Sequence, residues 1–220
     1  MRQHLILKLQ SPLQAWGEHS FEGLRPSALY PGRSALLGLL GACLGIDRQD
    51  RGRQQALAAS VGFAVRVDQR ASKPVKMIDY HTVKNARVKY QGLKSHDTIQ
   101  TWREYIQDAA YTVAVWNLSE ADVSLAMVRE AVHKPVFTPV LGRRSCPLAR
   151  PLFEAEVEAI DAVAALSLVE PAQGTIYSEE GAAAQRQVQR RDAPIIHQPR
   201  QFSTRRVYVH TAKGGSDVSE

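Results

Sequence analysis

The chain has 220 residues, 44% hydrophobic and 23% charged, with a formal net charge of +6 at pH 7. That suits one large domain, or one domain with an appendage, and argues against global disorder. The positive balance favours an anionic partner, and the two cysteines, Cys43 and Cys146, form no CxxC pair, so they signal no zinc site and fit a reducing cytoplasm.

Leu5, Leu7 and Leu9 alternate with Ile6, Lys8 and Gln10, the period of a strand. The apolar run around them is too short for a signal peptide, and no segment is long enough to span a membrane. A loop, SPLQAWGEHSFEGLRP, follows and leads into RPSALYPGRSALLGLLGACLG, Arg25 to Gly45. Pro31 and Gly32 break any preceding element, and Ser34 is the expected N-cap of a helix from about Ser34 to Leu44. Gly38, Gly41 and Ala42 leave one helix face nearly bare, which predicts close packing against a sheet or another backbone, and Gly45 is a suitable stop. The first amides of such a helix lack internal partners, and with the helix dipole they make an anion site. Arg25 and Arg33 stand beside it, so a phosphate contact and an ordinary buried helix with a solvated arginine at its mouth are equal readings of this segment.

A polar helix from about Arg48 to Ser60 and a strand from Val61 to Val67 come next. Lys73 to Tyr105 is long and basic, has no clean period in its first half, and holds YHTV, YQGLKSH and TWREY. Segments of this length inside a compact domain are usually functional or pack as a subdomain. Ala109 to Trp116 alternates as a strand. Ser119, with Asp122 three residues on, opens a helix to about His133 that Pro135 stops. TPVLGRRSCPL is a loop with Gly142 at its turn, and Phe153 to Ala159 is a strand with one wet face of Glu154, Glu156 and Glu158. Taken together, the elements follow the βαββαβ pattern of the ferredoxin-like fold, an α+β class whose sheet has one open face and which RRM-type RNA binders share. After Asp161 the chain is Ala-rich, then polar and basic, with a strand from Arg205 to His210 and a GGSDVSE tail of flexible composition.

Charge is unevenly distributed. Arg66 to Arg103 carries nine Lys or Arg against three Asp, and Arg186 to Arg206 carries six Arg against one Asp. The acids gather between them, at Glu154, Glu156, Glu158, Asp161, Glu170, Glu179 and Glu180. Concentrated positive charge is the footprint of a nucleic-acid binder, although a solvated basic face on an enzyme has the same composition.

The chemistry of catalysis is poorly represented. The seven histidines are scattered without HxH or HExxH, and P-loop and GxSxG motifs are missing. Metal-free RNA cleavage is the one enzymatic candidate, with Tyr80, His81 and Lys84, or Lys94 and His96, as its groups. Such residues in a basic segment more often contact phosphate without cutting it. Among the aromatics, Trp116 reads as core, Trp16 as core or stacking platform, and Trp102 as an anchor or a base-stacking ring beside Arg103. In Gly142-Arg143-Arg144-Ser145 a glycine that permits close approach precedes two guanidiniums, which favours RNA over a surface turn salt-bridged to the acidic strand.

SPLQAWG, FEGLRP, GRSALLGLLGACLGI, DYHTV, GLKSHDTIQTWREY, the helix ending in KP, TPVLGRRSCPL, IYSEE and PRQF together resemble the CasD family of subunits of Cascade, the type I-E CRISPR surveillance complex of bacteria. The resemblance runs from Met1 to the tail, with Asp47 to Ser60 and Asp161 to Thr175 less diagnostic. It implies membership of the repeat-associated RNA-binding superfamily, with a ferredoxin-like palm over 1–160, a basic thumb inserted at 71–108, and a C-terminal extension over 161–220 packed on the palm. It further implies a non-catalytic cytoplasmic subunit without cofactor or membrane contact that holds the 5′ handle of the CRISPR RNA in antiviral defence. The implied neighbours are the backbone subunit CasC, the large subunit CasA and other Cascade subunits, and target DNA is met only through the complex. Type I-E members leave RNA processing to CasE. Relatives in another subtype cut with Tyr, Lys and His, but no motif here places those three, and a metal-independent endoribonuclease acting on CRISPR repeat RNA is the alternative. The expected RNA contacts are Arg25, Arg33 and the amides near Ser34 on handle phosphates, Lys134, Arg143 and Arg144 extending the track, and Lys94, His96, Trp102 and Arg103 on the thumb.

Overall fold

The computed structural model describes residues 1–69, 75–84, 98–198 and 201–211. It is a mixed α/β structure in which nearly all strand pairs are antiparallel. Strand β1 (Arg2–Gln10) is followed by four two-residue strands, β2 (Leu13–Gln14), β3 (Trp16–Gly17), β4 (Leu24–Arg25) and β5 (Ser27–Ala28). Helices α1 (Arg33–Cys43) and α2 (Arg51–Ser60) lead to β6 (Val61–Asp68), a hairpin of β7 (Val75–Lys84) and β8 (Thr98–Gln107), and β9 (Ala110–Asn117). Helix α3 (Leu125–His133), β10 (Phe153–Ala159), α4 (Ala162–Ser167), β11 (Gly174–Ser178), β12 (Arg186–Pro194) and β13 (Phe202–Thr211) complete it.

A seven-stranded sheet in the order β10-β1-β9-β6-β11-β13-β12 forms the body. One face carries Leu5, Leu7, Leu9, Phe63, Val65, Tyr111, Val113 and Val115 against α1 and α3, where Leu36, Leu40, Cys43, Val128 and Val132 are buried. Burial pushes the Cys43 thiol up to about 11, so it stays an inert packing group. The other face is not open, contrary to the expectation from the βαββαβ pattern. Ile6, Ala64, Ala114, Trp116 and Ile176 lie beneath Ala162, Ala165 and Leu166 of α4. Small side chains on both sides let this short helix lie close to the sheet.

The same covered face buries charge. Lys8 Nζ donates to Asp68 Oδ2 at 3.0 Å and to Thr112 Oγ1 at 2.6 Å, and Arg66 Nε donates to Asp68 Oδ1 at 2.7 Å. Arg66 also donates to the Leu166 carbonyl, which ties α4 to the sheet. Arg66 is 0% exposed, so this member of the basic stretch is an interior cation and no part of a surface patch. Two buried cations share one carboxylate, and hydroxyl and carbonyl oxygens take the remaining donors, as buried charge requires.

Several local expectations need adjustment. The N-cap of α1 is Gly32, with no side-chain cap. Helix α3 starts at Leu125 behind an N-cap at Ser124, whose hydroxyl accepts from the Met127 N–H, and not at Ser119. Asn117 explains the delay: its side chain accepts from the Leu125 N–H and donates to the Ser60 and Val123 carbonyls, holding 118–123 as a turn. The weakly periodic basic stretch contains the β7–β8 ribbon, paired from Val75↔Gln107 to Lys84↔Thr98. β7 is mostly exposed or half-buried along its length, and with no wholly buried face it carries no strong alternation in sequence. The C-terminal region extends the sheet edgewise through β11, β13 and β12.

Candidate functional site

A trough crosses the mouth of α1. One half, about 1170 Å³, lies between loop residues Gly17–Ser20, Tyr30 and strand β12. The other, about 1460 Å³, runs along α1 towards Gly142, Arg143 and Arg144. Gly17, Glu18, Ser20, Arg25, Ser34 and Ala35 line both halves, so they form one continuous path. Each half exceeds the ~300–1,000 Å³ of an ordinary small-molecule pocket, which suits a chain-like ligand. Gly38 lines the second half, and a Cβ there would meet nothing within 4 Å. The bare face of α1 therefore floors the trough and does not pack on a sheet at that position.

The residues singled out in the sequence divide into those turned to the trough and those turned inward. Arg25 is held by its own loop, with Nη1 donating to the Glu22 carbonyl at 2.5 Å and the Leu24 carbonyl at 2.9 Å, and it borders both halves. Ser34 sits in the first turn of α1 at the junction. Arg144 is exposed on the rim. Arg143 lines the trough but is also a brace: its guanidinium donates to the Glu104 carbonyl at 2.9 Å and the Arg25 carbonyl at 3.1 Å, and lies 4.6 Å from the centre of the Tyr105 ring. Lys134 is exposed at the C-cap of α3 and is not among the trough residues. Lys94 and His96 lie outside the described residues, as do the whole YQGLKSH segment and the GGSDVSE tail.

Arg33 departs furthest from expectation. Its Nη1 bonds Glu179 at 2.6 Å, and Nη2 donates to the Ala58 and Val61 carbonyls. The expected anion site at the start of α1 is already filled from within, because the Arg33 N–H donates to Asp192 Oδ2 at 2.9 Å. Gly32 permits this contact, since a Cβ there would lie 2.7 Å from the same oxygen. Arg205 closes the set, with Nε 2.5 Å from Asp192 Oδ1 and Nη1 3.3 Å from Glu179. Arg33, Glu179, Arg205 and Asp192 thus form an ionic clasp that joins α1 to the C-terminal strands. Gly142, at φ +92, also serves an internal contact: a Cβ there would be 1.7 Å from the Ala15 carbonyl oxygen. Trp16 is core, 1% exposed and edge-on to Tyr111.

The hairpin joins the trough through β4, whose Leu24 and Arg25 pair in parallel with Trp102 and Arg103. Directly opposed residues share a face. One face therefore carries Tyr80, Trp102 and Leu24, and the other Asp79, Arg103 and Arg25. Tyr80 is 51% and Trp102 43% exposed, with ring centres 5.4 Å apart, while Arg103 Nε donates to Thr101 Oγ1. His81 is bound to Asp79 at 2.5 Å.

Sequence reasoning missed the third wall. Tyr30 and Tyr177 stack at 3.7 Å between ring centres, Arg190 lies 4.0 Å from the Tyr30 ring centre, and Arg191 joins them along the trough. Burial raises the Tyr30 hydroxyl pKa, so the phenol is neutral around pH 7. The arginine excess after Arg186 was the available signal, but it did not tell which arginines face out. Among the described residues no cluster of His, Cys, Asp or Glu is suited to a metal, and no helix is long and apolar enough to cross a membrane.

The trough, with its excess of arginines, lies beside a hairpin bearing exposed aromatic rings, the class of surface that suits an extended anionic partner. Comparison narrows this class: the chain belongs to the CRISPR-associated protein family (Cas_Cas5), whose pattern it matches over residues 4–208. It is 52% identical over 226 aligned positions to the CRISPR system Cascade subunit CasD of Escherichia coli (strain K12), covering 100% of both chains. A chain of a solved CRISPR RNA-guided surveillance complex superposes with a TM-score of 0.70 at 28% identity, covering 94% of this chain and 89% of that one. A solved structure described as a Cas protein does so at 0.62 and 29%, covering 94% and 93%.

Proposed function

We propose that this chain is a non-catalytic subunit of a CRISPR RNA-guided surveillance complex of the Cascade type, and that its trough holds the 5′ handle of the CRISPR RNA. The observation that carries the proposal is the continuity of the two halves through Arg25 and Ser34, with Arg144 at one end and further arginines at the other. The full-length identity to a Cascade subunit supports the complex. Handle phosphates meet Arg25, Ser34 and Arg144. Arg33 and Arg143 act as positioning residues that hold the wall, and Lys134 extends the track beyond the trough. Lys94, His96, Trp102 and Arg103 separate nucleotides where the handle meets the guide. A fixed 5′ end sets the register for the subunits that follow, among them the CasC backbone and CasA, and base pairing then reads target DNA. The setting is the cytoplasm, and no cofactor takes part.

The order β10-β1-β9-β6, antiparallel throughout with α1 and α3 on one face, supports reading residues 1–160 as a ferredoxin-like palm. The β7–β8 ribbon supports a thumb over 71–108, and the edgewise strands support a C-terminal extension over 161–220 packed on the palm.

Replacing Arg25 and Arg144 together by alanine tests the site. Native mass spectrometry of the assembled particle is expected to show reduced RNA occupancy, and full occupancy would overturn the proposal. In a second arm, purified protein is incubated with labelled repeat RNA in EDTA. Intact RNA is expected, whereas cleavage that disappears in His81→Ala would establish the endoribonuclease reading instead.

A further inference from the structure

The β12 wall of the trough has a construction unlike its other margins. Arg190 is nearly enclosed, with its side chain 16% exposed. Three of its features are already committed. Its plane lies over Tyr30, Nη2 donates to the Tyr30 carbonyl at 3.1 Å, and Nε is 3.4 Å from Asp192 Oδ2. Tyr30 is backed in turn by Tyr177. The remaining nitrogen, Nη1, is buried without a partner, which is unusual for a guanidinium donor. Asp192 partly neutralises Arg190 and Tyr30 fixes it, so it is poorly suited to chase a mobile phosphate. It is well suited to present a rigid, planar, electron-poor surface. Guanidinium planes stack on nucleobases as aromatic rings do.

Arg191 differs. It is exposed, anchored by Nε to the Phe202 carbonyl at 2.9 Å, and precedes a register shift between Arg191 and Ala193 that bends the strand. Both arginines line the same half of the trough although successive strand residues usually face apart. Gln189 and Gln201 beside them offer amides that can read a base edge.

We propose that the Tyr177–Tyr30–Arg190 column is a base-stacking platform: one nucleobase of the bound single-stranded RNA lies on the outer face of the Arg190 guanidinium, and Arg191 meets the adjoining phosphate. The inference rests on the RNA-binding reading above and adds the C-terminal strands to the binding surface, so the clasp that fixes them to α1 also fixes the geometry of the RNA.

The test uses the full chain and a single-stranded RNA carrying the repeat's 5′ handle, with 2-aminopurine placed at each handle position in turn. Stacking quenches that base, so wild type is expected to darken one position that brightens again in Arg190→Lys. That variant keeps the charge and loses the plane, and its affinity is expected to fall about tenfold with an unchanged salt slope. Arg191→Gln is expected to keep the quenching and lower the salt slope by about one. Thermal melts of each variant separate these effects from unfolding. Tyr30→Leu, which removes the ring beneath and leaves the charge, is expected to restore emission at the same position. If RNA binds but no position is quenched, or the quenched position ignores Arg190→Lys and Tyr30→Leu, the platform is overturned while the RNA-binding reading stands. If wild type binds no RNA, both fall.

Discussion

The seven-stranded sheet and the β7–β8 hairpin are both antiparallel β structure, but they handle charge and apolar surface in opposite ways. The sheet is covered on both faces, and it takes Lys8, Arg66 and Asp68 inside with nearly every donor matched. The hairpin leaves Val75, Ile78, Tyr80 and Trp102 more than 40% exposed. Thr101, Tyr105 and Ile106 of β8 are buried, but these four side chains have no second layer over them and are available to a partner. A cation in this protein therefore means different things in the two regions: Lys8 and Arg66 lie inside and hold the fold, whereas Arg25 and Arg144 border the trough.

Substitutions in each region break or sharpen that contrast. The largest effect is expected from Asp68→Asn, which strips the shared carboxylate from between Lys8 and Arg66. Leaving buried cations without their counter-charge costs about 3–5 kcal/mol. Urea denaturation measures this, and a loss below ~1 kcal/mol would show that the interior is wetter than it looks. Gly142→Ala comes next, at about 2–3 kcal/mol, because the new Cβ meets the Ala15 carbonyl at a positive φ. It is expected to lower stability and RNA affinity together, since Arg143 and Arg144 ride on this turn. A variant that weakens RNA alone would return Gly142 to the role of a ligand-approach glycine.

Trp102→Ala reverses the pattern. Stability is expected to change by no more than about 1 kcal/mol, because the ring is exposed. RNA affinity is expected to fall about tenfold, the worth of a stacked base. A large drop in melting temperature with RNA binding intact would make the ring an anchor. The smallest effect belongs to Arg144→Gln: melting is unchanged, affinity falls a few-fold, and the slope of log affinity against log salt falls by about one phosphate contact. Unchanged titrations at several salt concentrations would remove Arg144 from the track.

Where the sequence reading held, it relied on buried periodicity. Leu5, Leu7 and Leu9 marked β1, whose leucine face packs on the main core while Ile6 and Lys8 lie on its other buried face, and Phe153 to Ala159 marked β10 to the residue, where apolar residues alternate with Glu154, Glu156 and Glu158. It faltered where function and packing use the same residue types. Arg33 and Arg144 are both arginines beside glycine-bearing turns, yet Arg33 folds onto Glu179, 146 residues away along the chain. Nothing local distinguishes them, since the deciding carboxylate comes from a distant strand. Strand β7 was likewise illegible as structure, for want of a wholly buried face to impose a period.

The sequence by itself determined the kind of protein: short-range periodicity set the main strands and helices, and its motifs carried the CRISPR-associated resemblance that comparison bore out. Only the tertiary structure decided which charges face outward, that α4 covers the second sheet face, and that Asp192 occupies the start of α1. The reason is physical. Strand and helix periods arise from neighbours a few residues apart, whereas the partner of a charge is fixed by chain segments that meet only when the whole sheet has closed.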